Sequence, residues 1–149
     1  MDTQGEKLDN LAMRPPFQVR TAGFVGNQRY HSTPGTKQDD VMLTVFLDGR
    51  GIYRNARGAL PVEKNMAGLV PPEDPGVLMA DPAEPYVHYY CRFNGTYAFQ
   101  MVRQILAEQG ERFFPVLDAE ALAGFLRQMG RHGARELPAR MGRREALLV

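Results

Sequence analysis

Two hydrophobic rhythms divide the chain. From Phe17 to Gly95, apolar residues come in short runs that alternate in twos or are continuous, broken by Gly, Pro, Asn and Asp. After Gly95 they recur three and four apart. The first rhythm is that of strands and the second that of amphipathic helices. The first predicted strand is Phe17 to Val25, with Phe17, Val19, Thr21 and Gly23 on one side. A polar stretch, NQRYHSTPGTKQDD, follows, in which Tyr30 and His31 make a short strand and Pro34-Gly35 a turn. Val41 to Leu47, VMLTVFL, is β-branched and aromatic almost throughout, so both of its faces are predicted to be buried. Asp48-Gly49-Arg50-Gly51 then reads as a tight hairpin, with Ile52 to Arg54 as the partner strand. Asn55 to Gly58 turns again into a strand over Ala59 to Glu63. Met66 to Val70 is another strand, ended by Pro71-Pro72 because proline donates nothing to a ladder. A turn at Glu73-Asp74-Pro75-Gly76 leads to Val77 to Ala80. The last strand is Tyr86 to Gly95, YVHYYCRFNG.

Phe99, Val102, Ile105 and Leu106 place a helix over Thr96 to Gln109, with Gly110 as its C-cap. Arg112 to Val116 is a short extended connection. Asp118 is the predicted N-cap of a second helix, Leu117 and Leu122 its hydrophobic staple, and Leu122, Phe125, Leu126 and Met129 its apolar stripe. Gly130 and Gly133 are predicted to end it, and Pro138 to open another helix in which the chain stops mid-pattern, as a piece of a longer protein would. Strands first and helices after give an α+β class, and the short, evenly spaced strands give a barrel or a sandwich.

Composition changes this picture little. With 149 residues, 44% hydrophobic and 23% charged, the chain fits one domain with a real core. A net charge of +1 supplies no global field for nucleic acid or membrane. No apolar run approaches the roughly 18 residues of a membrane span, and the polar start, MDTQGEKLDN, is not a signal peptide. One cysteine permits no internal disulfide, and a cytoplasmic location is the expectation. Residues 1–16 read as a flexible arm, closed by Met13-Arg14-Pro15-Pro16, that is either simply disordered or folds over a ligand.

Candidate chemistry concentrates in YVHYYCRFNG. Alternation puts Tyr86, His88, Tyr90 and Arg92 on one face and Val87, Tyr89, Cys91 and Phe93 on the other. The first face is polar and aromatic and suits a small-molecule pocket; the alternative is that it points to solvent over a plain core. Cys91 falls on the apolar face, as a buried, unreactive thiol. The three histidines, His31, His88 and His132, are far apart, and no H-x-H, H-E-x-x-H or C-x-x-C occurs, so no metal is expected, although His31 and His88 would meet in a barrel. No G-x-S-x-G, P-loop or dinucleotide fingerprint is present, so neither an enzyme nor a cofactor is expected. Arg127, Arg131, Arg135, Arg140, Arg143 and Arg144 are interleaved with Glu120, Glu136 and Glu145, which reads as a solvated helix face and not a nucleic-acid platform.

Four stretches in order resemble the effector-binding domain of the AraC family of bacterial transcription regulators: Ala22-Gly23 closing a strand, DDVMLTVFLDGRGIYRN, LVPPEDPG and YVHYYCRFNG before a helix. The resemblance spans about residues 17 to 130. It implies a cupin-like double-stranded β-helix, a jelly-roll barrel over residues 17–95, then helices over 96–149 that dimerise, with the DNA-binding domain elsewhere. It implies a small effector, a sugar by the family's arabinose-responsive example, and a homodimer that reaches DNA only through the missing domain. It maps His88 and Tyr90 onto a histidine and an aromatic that line the sugar pocket, with Tyr86 on the same face. Thr33 falls near a sugar-contacting arginine, so that guanidinium fork is missing, which puts arabinose itself in doubt as the effector. Leu78 replaces a pocket tyrosine and Lys64-Asn65-Met66 replaces a P-G-D. Two rivals stand beside this: a small cupin enzyme such as a sugar isomerase or dioxygenase, and a cupin with a collapsed lumen used only to dimerise.

Overall fold

The computed structural model describes residues 16–26, 28–33, 39–74 and 76–136, with side chains through 129. The predicted arm up to residue 15, the Pro34-Gly35 turn and the helix after Pro138 lie outside the described residues. Among the described residues there are eight strands and two helices: β1 Gln18–Gly26, β2 Val41–Asp48, β3 Arg50–Asn55, β4 Gly58–Glu63, β5 Met66–Val70, β6 Val77–Ala80, β7 Val87–Asn94, α1 Thr96–Gln109, β8 Phe113–Pro115 and α2 Ala119–Glu136. Tyr30 and His31, expected as a short strand, form none, only Ser32 bridging to Met79, and β8 forms within the expected extended connection. They make three layers. A five-stranded antiparallel sheet, β1-β7-β2-β5-β8, lies between a three-stranded sheet, β4-β3-β6, and the helices.

The middle position of the large sheet explains the VMLTVFL run. Val41, Leu43, Val45 and Leu47 face the helices, packing with Val102, Leu106, Ala123 and Leu126. Phe46 faces the small sheet, packing with Tyr53, Val62 and Leu78. A strand covered on both sides carries no polar face. β7 has the same two sides: Tyr89, Cys91 and Phe93 belong to the helix-side core, while Tyr86 and Tyr90 belong to the core between the sheets.

Other local expectations are corrected as well. Arg50 to Asn55 is not the hairpin partner of β2; β3 pairs with β4 and β6, in the other sheet. Gly49 is the corner at which the chain leaves one sheet for the other: its φ is +70°, and a side chain there would strike the backbone of Pro85. In β1 the alternation breaks between Val19 and Thr21, where the register with β7 shifts. Phe17 and Val19 therefore pack on the helix side with Phe93, whereas Gly23 faces Tyr90 between the sheets. Leu117 is fully exposed and staples nothing, although Asp118 does cap α2, its carboxylate accepting from the Ala121 amide at 3.0 Å. Gly130 and Gly133 do not end that helix, which continues to Glu136; an interior glycine weakens a helix by about 1 kcal/mol without breaking it. Among the described residues no helix is long and apolar enough to cross a membrane.

Candidate functional site between the sheets

The inner row of β7 carries the predicted residues in the predicted orientation. Tyr86 and His88 are buried, and Tyr90 is half-buried. The Tyr86 and His88 rings meet edge to face at 4.9 Å, and the His88 and Tyr90 rings lie 6.0 Å apart. Exposure rises from Tyr86, just before β7, to Tyr90, so Tyr90 is the end of this row nearest to solvent. Tyr90 lies against β1 at Gly23, where any side chain would occupy the tyrosine ring. That absent Cβ is what lets the ring lie flat over β1. One more inner position along β7, the Arg92 guanidinium bonds Asp40 at 3.0 Å, an ion pair between two largely buried side chains.

His31 comes to the same place from the other sheet. Residues 31–33 run along β6: Thr33 donates its amide to the Leu78 carbonyl at 3.0 Å, and the Ala80 amide donates to the His31 carbonyl at 3.1 Å. This docks His31 with Nδ1 2.6 Å from the Tyr86 hydroxyl and its ring 5.9 Å from that of His88. The two histidines do meet, as a barrel required. Thr33, by contrast, spends its side chain locally, Oγ1 accepting from the Leu78 amide at 2.9 Å.

His88 is held from β2. Its Nδ1 is 2.6 Å from the Thr44 hydroxyl, which also donates to the Tyr89 carbonyl at 3.1 Å. Phe46 stacks on the imidazole at 5.3 Å. The other ring nitrogen, Nε2, is buried and has no hydrogen-bond partner among the described residues. Burial, with His31 as a smaller contributor, pushes the His88 pKa down to about 3. Burial also lowers that of His31 and raises that of Tyr86. At neutral pH the His31, Tyr86 and His88 rings are therefore uncharged, with hydrogen-bonding edges.

Neither Thr44 nor Asp40 was visible as a site residue in the sequence. Thr44 hides inside an apolar strand, where a β-branched residue needs no further reason to occur. Asp40 reads as half of a polar Asp39-Asp40 pair opening β2.

A second polar cluster lies away from this site. Asp74 accepts from Tyr53 at 3.0 Å, from Asn55 at 3.1 Å and from Arg112 at 2.9 Å, which ties β3, the turn before β6 and the segment before β8 together. Burial alone would raise the Asp74 pKa, but these three donors hold it below the ordinary value. The carboxylate is fully engaged and the cluster acts as a clamp. Among the described residues no three His, Cys, Asp or Glu side chains converge as metal ligands.

The three layers make a two-sheet β-sandwich with C-terminal helices, the Tyr86, His88 and Tyr90 rings lying on the side of the large sheet that faces the small one. The chain matches the model of the AraC-like ligand binding domain over residues 20–146 and belongs to that family. Its fold is accordingly the cupin-like sandwich that the AraC resemblance implied. Solved structures similar to it include YhaK from Escherichia coli, at 17% identity over 54% of this chain and 38% of that one, TM-score 0.43. A cupin protein from Bacteroides fragilis matches at 12% identity over 56% and 70%, TM-score 0.40. ToxT from Vibrio cholerae O395 matches at 7% identity over 79% and 49%, TM-score 0.49. The chain thus spans well under two thirds of the E. coli and V. cholerae proteins. No curated protein matches it.

Proposed function

We propose that the chain senses a neutral, hydroxyl-rich molecule of sugar size and acts by binding, not by catalysis, as the effector and dimerisation part of an AraC-type transcription regulator. The observation that carries this is the unpartnered Nε2 of buried His88 among Tyr86, Tyr90 and His31. A buried polar atom without a partner is rare, and a ligand group is one of the things that satisfies it. Tyr90, the most exposed of the three, offers its ring to the apolar face of a sugar and His88 offers its unpartnered Nε2, while Tyr86, its hydroxyl bonded to His31, packs beside the imidazole. Thr33, with both its amide and its hydroxyl engaged by Leu78, serves the site by holding residues 31–33, and so His31, against β6. No cofactor or metal is required.

Regulation follows from differential affinity for two states. Effector between the sheets favours one position of the segment 1–16, and that position biases how DNA-binding domains outside this chain are presented. Residues 1 to about 12 should then gain hydrogen-exchange protection with effector. Equal exchange with and without it removes the segment from the mechanism.

The binding site is tested by thermal melts of the wild type, His88→Ala, Tyr90→Ala and Cys91→Asp against a panel of monosaccharides. A ligand at 100 times its Kd adds about 2.7 kcal/mol to stability and so raises Tm. Both ring variants should lose that rise, His88→Ala because about 1–3 kcal/mol goes with an unpaired ligand hydroxyl. On the sequence alone the fold is expected to survive both ring changes. His88 is 1% exposed, however, and its ring is packed by Phe46 and Tyr86, so His88→Ala also lowers the basal Tm. Cys91→Asp puts a charge into the helix-side core and should prevent folding. A panel in which no sugar moves the wild-type Tm, or in which both ring variants keep the full rise, sinks the sugar site.

A further inference from the structure

The polarity of the Thr44–His88 hydrogen bond narrows the ligand class, and this step rests on the sensing function proposed above. The Thr44 hydroxyl has one proton and two neighbours, the Tyr89 carbonyl at 3.1 Å and His88 Nδ1 at 2.6 Å. If it donates to the carbonyl, it accepts from an Nδ1–H. Both bonds are then made, and what remains unpaired on the imidazole is the Nε2 lone pair. If instead it donates to Nδ1, the carbonyl loses that donor and Nε2 carries a buried proton with no acceptor. The second arrangement makes one bond fewer, and it orphans a donor where the first leaves only an acceptor idle; buried N–H groups without partners are the rarer of the two. The first arrangement is therefore the one this packing selects.

We infer that Thr44 locks His88 as the Nδ1–H tautomer, so that Nε2 is a fixed, uncharged acceptor that takes an O–H or N–H from the ligand and rejects a carboxylate at that point. A carboxylate would set its lone pairs against that of Nε2. Only an imidazolium would welcome it, and burial opposes that form. The nearest cation on the same row of β7, Arg92, lies four residues along the strand, roughly 13 Å away, and already bonds Asp40. Thr44 is thus a positioning residue: it touches no ligand in this scheme and acts through the proton it places on His88.

The test begins without any ligand. Side-chain nitrogen-15 spectra of the wild type, with His88 assigned by its loss in His88→Gln, should show a protonated Nδ1 and a bare Nε2 at neutral pH. Thr44→Ser should keep that pattern, and Thr44→Val should let the ring revert toward the Nε2–H form preferred by free imidazole, with a thermal melt reporting that the variant is folded. A wild-type His88 protonated on Nε2, or on both nitrogens, overturns the inference whatever the variants do. The second arm titrates D-glucose, D-galactose and L-arabinose, each beside its aldonic acid, following Nε2. Any sugar that binds should shift Nε2, and its acid should bind at least about tenfold more weakly. An acid that shifts Nε2 and binds as tightly as its parent sugar overturns the selectivity. If no probe moves His88, the sugar reading fails, and the acceptor stands or falls on the wild-type tautomer.

Discussion

At the scale of single residues, His88 carries a pH signature that does not depend on knowing the ligand. Its folded-state pKa is depressed to about 3 by burial, with His31 adding to the effect. Between the ordinary histidine value and about 3, the unfolded chain binds a proton that the folded chain refuses. Stability from this group is therefore complete above about pH 6.5 and is lost as pH falls toward 3, by at most about 1.4 kcal/mol per pH unit. His31, Tyr86 and Tyr90 are the titratable side chains facing the ring, and His31, also depressed, pulls in the same direction. Urea midpoints at pH 7, 6, 5 and 4 should fall more steeply for the wild type than for His88→Gln. Parallel slopes would mean that the imidazole titrates freely. Cys91, on the opposite side of the same strand, has its thiol pKa pushed up to about 12 by burial and by the Asp40 charge, and should resist alkylation in the folded protein. The two-sidedness of β7 was legible in the sequence because alternation is a property of the strand itself. The Thr44 hydroxyl was not, because its role depends on which strand lies beside β7, and pairing between residues 44 apart leaves no local mark.

At the scale of elements, the sequence located strands better than it joined them. Met66–Val70, Val77–Ala80 and Thr96–Gln109 match the expected bounds, since proline, glycine and the change of period mark those ends chemically. The D-G-R-G segment was misjoined because a positive-φ glycine serves a corner between sheets as well as a hairpin; only the partner's position tells them apart. The break in β1 was missed because a bulge inserts a residue without requiring a special one, and Arg20 simply opposes the β7 ladder out of step. The start of α2 is the clearest local signal that the structure uses. Asp118 satisfies the Ala121 amide, and Asp118→Ala should cost about 1 kcal/mol, read as a lower urea midpoint with an unchanged slope. The staple proposed beside it fails because Leu117 has no partner to meet: the apolar residue one turn on, Leu122, turns toward the sheet.

At the scale of the whole molecule, the proposed dimer is tested at the helix layer. α2 lays Ala119, Ala123 and Leu126 into the core of the large sheet, with Leu122 and Met129 at its edge. The sequence grouped Phe125 with that stripe. One residue is roughly 100° of helix, and that rotation from buried Leu126 leaves Phe125 60% exposed on the outer flank. On the other flank Arg127 bonds the Tyr89 hydroxyl at 3.0 Å and lies over its ring at 5.1 Å, so the helix cannot roll to bury Phe125 without breaking both contacts. If the proposed dimer forms through its helices, an aromatic ring kept outward in this way is the apolar anchor it would use, the kind of residue that dominates interface energetics. The wild type should sediment as a dimer and Phe125→Glu as a monomer. Because Phe125 contributes little to the intramolecular core, its replacement should leave the intrinsic fold within about 0.5 kcal/mol, measured by urea unfolding at concentrations where both proteins are monomeric. Leu126→Glu, one position on, should instead unfold the domain, because a carboxylate there has no partner in the core. A wild type that stays monomeric at high concentration, or a Phe125→Glu variant that remains as dimeric as the wild type, removes this flank of α2 from the assembly.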